Sequence, residues 1–273
     1  MIKRALEIVV ISDVHLGAYA CHSAELLQYL KSIQPKILVL NGDIIDAWHF
    51  KRNALSSNHL EIIDQLLEMV SGGTKIYYLS GNHDDIIRGY SPFNDEKIIL
   101  RNHLEFVIDQ KKYWIFHGDI FDASVSISPW IARLGLISYK YLIRINRLLD
   151  KIRKPRLSLT RRMKSKVKRA LKYIHDFEDI VARHALKKEY DVVICGHIHV
   201  PVIKKMLNGQ VIYMNAGDWV ENLTALEYQH HQWSLYRYDS ADYTPVSKHL
   251  QVPQSELKIE NKIPPAFSLG SAS

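Results

Sequence analysis

Short apolar runs recur along this chain, and each one is followed directly by polar residues. Their lengths and their content of β-branched residues predict buried strands. The six runs cover residues 6–11, 36–40, 75–79, 113–116, 192–195 and 211–214. We therefore predict a sheet structure whose strand ends, rather than the strands themselves, carry the polar chemistry.

Two stretches between the early strands have helical periodicity. Residues 24–33 follow Ser23, a possible N-cap, and Pro35 closes this helix. A second helix is predicted over residues 58–70 and ends at a Gly-Gly pair. The apolar positions are Leu26, Leu27 and Leu30 in the first stretch, and Leu60, Ile63, Leu66, Leu67 and Val70 in the second.

Helices between successive strands favour parallel pairing, whereas segments 77–117 and 211–238 leave room for antiparallel pairs. The predicted fold class is therefore α/β, a two-layer β-sandwich flanked by helices.

The character of the chain changes between about residues 121 and 188. An apolar face over residues 130–149 is followed by a dense basic run over residues 151–172. We predict a helical cap inserted into one domain spanning residues 1–250, with residues 251–273 as a disordered tail. A second interpretation of the cap is an amphipathic helical pair packed on the core, with its basic side in solvent.

The formal net charge of +7 indicates an anionic partner, which is a phosphate-bearing substrate, nucleic acid or an acidic lipid surface. Cys21 and Cys195 lie far apart in dissimilar segments, which predicts free thiols and a reducing compartment. The first apolar run ends at Asp13, so it is too short for a signal-peptide core. No stretch reaches the roughly 18 uncharged apolar residues that a spanning helix needs. We expect a cytoplasmic protein whose contact with the inner membrane is peripheral.

The polar residues at the strand ends are of the types that bind divalent cations. They are Asp13-x-His15, Asp43-x-x-Asp46, Asn82-His83-Asp84, His117 and His197-x-His199. Carboxylate, amide oxygen and imidazole together suit Mn²⁺, Fe²⁺ or Zn²⁺. These potential ligands exceed what one ion requires, and they fit two ions that share Asp43 as a bridging carboxylate.

Each of these residues has an ordinary structural interpretation when it is taken alone. Asp13 or Asp43 could be a turn or cap residue, and Asn82 a turn asparagine. His117 could be a half-buried histidine whose hydrogen bonds are satisfied. All of these interpretations would have to hold at once, so the combined pattern favours a metal centre.

The order of motifs D-x-H, G-D-x-x-D, G-N-H-D, H-G-D and G-H-x-H resembles that of the calcineurin-like metallophosphoesterase family over residues 6–218. The resemblance implies two divalent cations, with Mn²⁺ expected and Fe²⁺ or Zn²⁺ as alternatives. It implies one cation held by Asp13, His15, Asp43 and His199, and another held by Asp43, Asn82, His117 and His197. The implied reaction is hydrolysis of a diphosphate or phosphoester bond by a metal-activated hydroxide.

The resemblance also implies catalytic residues, namely His83 and Asp84. His83 would face the substrate phosphate and stabilise its charge or protonate the leaving oxygen. Asp84 has the alternative interpretation, shared with Asp46 and Asp119, of ordering its loop or supporting a ligand.

Within the family the chain resembles the branch of UDP-2,3-diacylglucosamine pyrophosphatases, which act in lipid A biosynthesis. The points of likeness are the H-G-D motif followed by a cap of this length, the G-H-I-H motif, and the sequence NAGDWVE at residues 215–221. The branch implies hydrolysis of UDP-2,3-diacylglucosamine to UMP and 2,3-diacylglucosamine 1-phosphate beside an anionic membrane surface. Asn82, His83, Lys164 and Lys168 are the expected substrate contacts, and no protein partner is inferred. At one position the chain departs from the branch, which carries Arg where this chain has His83.

Two alternatives stay open. DNA-processing phosphoesterases share the five motifs, and a basic groove would bind backbone phosphates, so a nuclease or general phosphodiesterase is the alternative enzyme. The alternative from another class is a non-catalytic scaffold built on the same fold. Such a scaffold is expected to lose ligands, whereas every ligand position is filled here.

Overall fold

The computed structural model of the protein describes residues 3–47, 57–91, 93–124 and 161–243. Three helices are described: α1 (Ser23–Ser32), α2 (Ser57–Ser71) and α3 (Arg161–Lys187). The strands are β1 (Arg4–Ile11), β2 (Ile33–Asn41), β3 (Lys75–Leu79), β4 (Phe93–Asn94), β5 (Ile98–Arg101), β6 (His103–Ile108), β7 (Lys111–Phe116), β8 (Val192–Cys195), β9 (Val202–Met206), β10 (Val211–Asn215), β11 (Thr224–Gln229) and β12 (Gln232–Arg237).

The strands form two sheets. The first has seven strands in the order β12-β11-β1-β2-β3-β5-β4, and the second has five in the order β6-β7-β8-β10-β9. Strands β1, β2 and β3 are parallel to one another, as are β7, β8 and β10. Antiparallel pairs join β6 to β7, β9 to β10 and β11 to β12. The six predicted strands and the mixture of parallel and antiparallel pairing are confirmed.

The two sheets pack face to face between outer layers of helix. Successive residues of a strand point to opposite faces, so Ile8 and Val10 of β1 lie between the sheets, while Val9 and Ile11 pack against residues of α1 and α2. Helix α3 covers the outer face of the five-stranded sheet, where Phe177 joins the cluster formed around β7 and β8. This order of layers confirms the two-layer β-sandwich flanked by helices.

Helix α1 and strand β2 correct two predictions about the first helix. Ser23 is the first residue of α1 and His22 is its N-cap, so the N-cap prediction was wrong. Pro35 lies inside β2 and does not close the helix. It is tolerated there because β2 pairs only with β1 at that point, and its pairing with β3 begins at Ile37. On the side of β2 that faces away from β1, proline's missing backbone N–H therefore removes no hydrogen bond between strands.

Helix α2 buries only part of the face that the predicted apolar positions define, since Leu66 and Val70 pack against the core. The positions Leu60, Ile63 and Leu67 are exposed by 51%, 41% and 51%. The buried residues of α2 are His59, Ile62, Gln65 and Met69. Apolar residues occupy two sides of this helix, so periodicity alone did not distinguish the buried side.

The predicted cap is described in part. Residues 161–187 form α3, as the helical prediction requires, while residues 125–160, including the apolar face, lie outside the described residues. The predicted tail at residues 251–273 also lies outside them, and the one-domain boundary stays a prediction. Cys21 and Cys195 are free thiols, as predicted. Within the described parts of the chain, no helix is long and apolar enough to cross a bilayer.

Candidate metal centre

The predicted polar residues lie where β1, β2, β3, β7 and β8 end. Because β1, β2 and β3 are parallel, their following loops leave the seven-stranded sheet at one edge. The loops after the parallel strands β7 and β8 leave the five-stranded sheet in the same way. The two edges meet, since Asp13 Oδ2 accepts a hydrogen bond from the backbone N–H of His197 at 2.9 Å.

The structure brings the predicted acidic and imidazole ligands into three overlapping groups. In each group one potential ligand atom per residue lies within 4.8 Å of the others. The groups are Asp13, His15 and His199; His15, Asp43 and His83; and Asp43, His117 and His197. Asp43 belongs to two groups, which is the position that a bridging carboxylate would have. Asn82 lies beside them, because the next residue, His83, donates its backbone N–H to Asp43 Oδ1 at 2.8 Å.

Unusual backbone conformations aim these side chains. Five of the candidate ligands have positive φ angles, near 55°, although none is glycine: Asp13 (53°), His15 (54°), Asp43 (53°), His197 (64°) and His199 (55°). This left-handed region costs a non-glycine residue roughly 1–3 kcal/mol. Backbone strain of this kind clusters at functional sites, and here it turns each side chain toward the common edge immediately after its strand.

The donor atoms of the site have the arrangement expected for cation ligands. Buried atoms without a hydrogen-bond partner among the described residues include Asp13 Oδ1, His15 Nε2, Asn82 Oδ1 and His117 Nε2. Asp13 Oδ1 nevertheless lies 2.8 Å from His199 Nε2, and Asp43 Oδ2 lies 3.3 Å from His117 Nε2. Buried polar atoms without hydrogen bonds are costly, and a cation shared by these atoms would satisfy them. The residues therefore fit the divalent cations that the motifs imply.

The electrostatics keep the carboxylates ionised. Burial would raise the pKa of Asp13, but the imidazoles of His199, His117 and His15 hold it well below its usual value. For His117 burial acts in the other direction and would lower the pKa. The nearby Asp43 and Asp13 carboxylates outweigh it and raise that pKa to about 10. For His15, burial dominates and lowers the pKa to about 4. A cation entering this cluster competes with the proton on His117, because a ligating imidazole must be neutral.

Several residues that contact the proposed ligands were not identified from the sequence. Ser12 Oγ lies between Asp13 Oδ2 and the Asn41 carbonyl oxygen, at 2.5 and 2.8 Å. The same carbonyl oxygen is 3.0 Å from His117 Nδ1, and a bond there leaves Nε2 of His117 facing Asp43. Single buried serines and backbone carbonyls leave no recognisable pattern in a sequence.

The sequence NAGDWVE supports the G-H-I-H loop. Asn215 Nδ2 donates to the Gly196 carbonyl oxygen at 2.7 Å, and Asn222 Nδ2 donates to the His199 carbonyl oxygen at 2.9 Å. Asp218 accepts the backbone N–H of Val220 at 2.9 Å, and its Oδ2 lies 3.7 Å from His199 Nδ1. The loop is therefore held at Gly196 by Asn215 and at His199 by Asn222, the residue that follows this sequence.

The remaining candidates lie around the same edge. His83 Nδ1 is 3.3 Å from Asp46 Oδ1, and His83 Nε2 is 4.0 Å from Asp43 Oδ2. Asp84 is buried, and it accepts bonds from the backbone N–H groups of Ile44 and Gly81 and from the Tyr78 hydroxyl. Burial raises the pKa of Asp84 despite these bonds.

Asp119 pairs with Arg88, whose Nε is 3.2 Å from Ser80 Oγ. Lys168 is exposed on α3, and the side chain of Lys164 lies outside the described residues.

Comparisons with known proteins agree with these observations. A family model described as calcineurin-like phosphoesterase matches residues 6–201. A curated protein of Wigglesworthia glossinidia brevipalpis, UDP-2,3-diacylglucosamine hydrolase, is 24% identical over 223 residues, which cover 80% of this chain and 88% of that protein. An archaeal phosphodiesterase structure has 14% identity and a TM-score of 0.43, covering 84% of this chain and 98% of that one. Vacuolar Protein Sorting 29 from Cryptosporidium parvum has 12% identity and a TM-score of 0.38, covering 84% and 95%.

Proposed function

The chain belongs to the calcineurin-like phosphoesterase family and is a metal-dependent phosphohydrolase, and on that premise we propose that it hydrolyses UDP-2,3-diacylglucosamine to UMP and 2,3-diacylglucosamine 1-phosphate. The observation that carries the hydrolytic part of the proposal is the convergence of Asp and His side chains from both sheets into three overlapping groups. The substrate part is supported by the relative named UDP-2,3-diacylglucosamine hydrolase, which matches 80% of this chain.

We assign the ligands as the motifs imply. One cation is held by Asp13, His15, Asp43 and His199, and the other by Asp43, Asn82, His117 and His197. When bound, such a pair of divalent cations lowers the pKa of water and offsets the charge of the phosphate. Mn²⁺ is the proposed metal, with Fe²⁺ and Zn²⁺ as alternatives because the same ligand types bind all three.

His83 is proposed to hold and deliver a proton. Its Nδ1 faces Asp46 at 3.3 Å, so this carboxylate can orient the imidazole. Nε2, beside the Asp43 carboxylate, is then the nitrogen that meets the substrate phosphate and donates to the leaving oxygen. Asp84 is proposed to order the loop that carries His83, because its carboxylate is buried on two backbone N–H groups and Tyr78.

The basic surface is proposed to bring the enzyme to an anionic membrane. Lys168, Arg169 and Lys172 are exposed on α3, and the exposed fraction of Leu171 beside them is 57%. Each lysine or arginine near an anionic bilayer contributes about 1 kcal/mol to membrane binding. An apolar side chain can enter the boundary between the headgroups and the acyl chains. A cytoplasmic enzyme at the inner membrane surface is consistent with a substrate that carries acyl chains. Lys164 and Lys168 stay proposed substrate contacts.

The function is tested by a substrate panel. Purified protein with Mn²⁺ is assayed against UDP-2,3-diacylglucosamine, UDP-N-acetylglucosamine, single-stranded DNA and bis-p-nitrophenyl phosphate. We expect release of UMP from the acylated substrate to be fastest. Asp43→Asn keeps an oxygen for the backbone N–H of His83 but removes the bridging charge, so turnover should fall by at least about 1000-fold, on the scale of losing a main electrostatic element of a site.

Control variants distinguish effects on the fold, on metal binding and on substrate preference. His231→Ala, in the β11–β12 turn, should leave turnover unchanged. His83→Ala should lose turnover while retaining bound Mn²⁺, and loss of both would place His83 among the ligands. Faster cleavage of DNA than of the lipid nucleotide would support the nuclease alternative, and unchanged turnover in Asp43→Asn would refute the metal assignment.

A further inference from the structure

A carboxylate outside the predicted set contacts a proposed metal ligand. Asp122 Oδ1 lies 2.7 Å from His197 Nε2. Asp122 belongs to the short 3₁₀ turn Asp119–Ser124, which follows the H-G-D motif. No sequence motif points to Asp122, because nothing in its spacing from His117 shows that the turn brings this side chain to His197.

The contact determines which nitrogen of His197 can bind a cation. An imidazole that donates its Nε2 proton to a carboxylate carries its lone pair on Nδ1. His197 would therefore present Nδ1 to the group that it forms with Asp43 and His117. His117 is arranged the other way, since its Nδ1 faces the Asn41 carbonyl oxygen at 3.0 Å. The two imidazoles would then approach the same carboxylate with different nitrogens, and each has an oxygen acceptor on the other side of its ring.

Helix α3 holds Asp122 and His197 together. The Tyr173 hydroxyl donates to Asp122 Oδ1 at 3.1 Å, and Tyr173 is only 3% exposed. One turn later, the fully buried Phe177 ring lies 6.2 Å from the His197 ring, centroid to centroid. A Cβ on Gly118 would lie 3.0 Å from Phe177 Cζ and 3.2 Å from His197 Cβ. The glycine of the H-G-D motif thus makes room for this contact, and the helix restrains both the imidazole and the carboxylate behind it.

We propose that Asp122, held by Tyr173 of α3, is a positioning residue that fixes the tautomer and orientation of His197 toward the cation that His117 and Asp43 also bind. The proposal rests on the ligand assignment of the proposed function. Carboxylate–histidine–metal arrangements of this kind orient the ring and raise its basicity, and their loss typically weakens metal binding 10- to 100-fold. The site of this cation, the second of the proposed pair, is thereby coupled to α3, which forms the C-terminal part of the predicted cap.

Two measurements that do not depend on turnover test the proposal. Binding of Mn²⁺ to the full-length protein is followed by the electron paramagnetic resonance signal of the free ion. Long-range ¹H–¹⁵N spectra of metal-free protein, assigned with His197→Ala, report the His197 tautomer. We expect an Nε2-protonated ring in the wild type. In Asp122→Ala the second Mn²⁺ should bind about 10- to 100-fold more weakly, and the His197 ring should lose its single tautomer.

Conservative variants separate positioning from a general loss of structure. Asp122→Asn keeps an acceptor oxygen and should recover most of the affinity, whereas equal losses in Asp122→Asn and Asp122→Ala would indicate a direct ligand and overturn the proposal. Tyr173→Phe leaves the carboxylate in place and should weaken binding of the second Mn²⁺ by a few-fold. Asp179→Ala removes an α3 carboxylate that pairs with Arg183 on the surface, and it should change neither readout.

His197→Ala distinguishes failure of this proposal from failure of the proposed function. If His197→Ala still binds two Mn²⁺ with wild-type affinity, the ligand assignment itself is wrong. If His197→Ala loses the second ion while Asp122→Ala binds both ions normally, or keeps the wild-type tautomer, then Asp122 does not position His197.

Discussion

At the scale of single residues, three glycines stand where any side chain would strike a proposed ligand or its neighbour. A Cβ on Gly42 would lie 2.4 Å from the His117 ring, and one on Gly81 would lie 2.2 Å from Asp43 Oδ1. A Cβ on Gly196 would lie 1.8 Å from Ser12 Oγ and 2.5 Å from Asp13 Oδ2. The glycines of the G-D and G-H motifs therefore allow close approach between the loops of the two sheets, and the glycine of the G-N motif allows it between two loops of the seven-stranded sheet.

Gly196→Ala tests this steric requirement. The added methyl group cannot coexist with the present positions of Ser12 and Asp13, so Asp13 must shift from its place beside His199. We expect Mn²⁺ to bind at least about 10-fold more weakly, comparable with the loss of a supporting contact, as measured by titration of metal-free protein. Gly89→Ala is the matched control, because a Cβ there meets nothing within 4 Å. Equal Mn²⁺ affinities in the two variants would contradict the steric argument.

At the scale of elements, α3 is the helix on which the five-stranded sheet and the proposed second cation site both depend. Its buried residues Phe177, Val181 and Ala185 pack with Trp114 and Val193 of the sheet. The same helix carries Tyr173 to Asp122. Its packing against β8 therefore also fixes the loop that begins at Gly196.

Phe177→Ala tests the contribution of α3 to stability. Phe177 is fully buried, and truncation of a buried phenylalanine costs about 3–5 kcal/mol through lost transfer energy and a cavity. Urea denaturation should show this loss in the free energy of unfolding. Leu171→Ala, on the same helix but 57% exposed, should change it by no more than about 0.5 kcal/mol. A comparable loss in both variants would indicate that α3 is destabilised as a helix rather than through its packing.

Sequence periodicity predicted which segments form helices and strands better than it predicted which of their faces are buried. It identified the strands that end at the site, because short β-branched runs bounded by polar residues have few alternatives. It was wrong for part of the buried face of α2, where Leu60 and Leu67 are exposed and Gln65 is buried. The apolar residues on two sides of that helix make the choice depend on which neighbour packs there, and a local pattern does not contain that information.

At the scale of the whole molecule, the proposed metal centre joins the two sheets. Asp13, His15 and Asp43 follow strands of the seven-stranded sheet, whereas His117, His197 and His199 follow strands of the five-stranded sheet. Each proposed cation would take ligands from both sheets. Bound metal should therefore oppose their separation.

Metal removal tests this connection. A ligand that binds only the folded state stabilises it by about 2.7 kcal/mol at a free concentration 100-fold above its Kd. For a chain of this size we expect Mn²⁺ to raise the Tm of chelator-treated protein by about 5–10 °C, as measured by differential scanning calorimetry. The increase should be lost in Asp43→Asn and retained in His231→Ala. An undiminished increase in Asp43→Asn would show that Mn²⁺ stabilises the protein from another site.

The sequence by itself determined the chemical inventory of the site and the class of fold. Motif order identified Asp13, His15, Asp43, Asn82, His117, His197 and His199 as candidate ligands, and the alternation of short strands with helices identified the layered sheets. Only the tertiary structure decided which groups stand behind those ligands. Asp122 reaches His197 across 75 residues, and the Asn41 carbonyl oxygen reaches His117 across 76. Such contacts depend on how α3 and the two sheets pack, whereas the motifs depend only on which residues follow each strand.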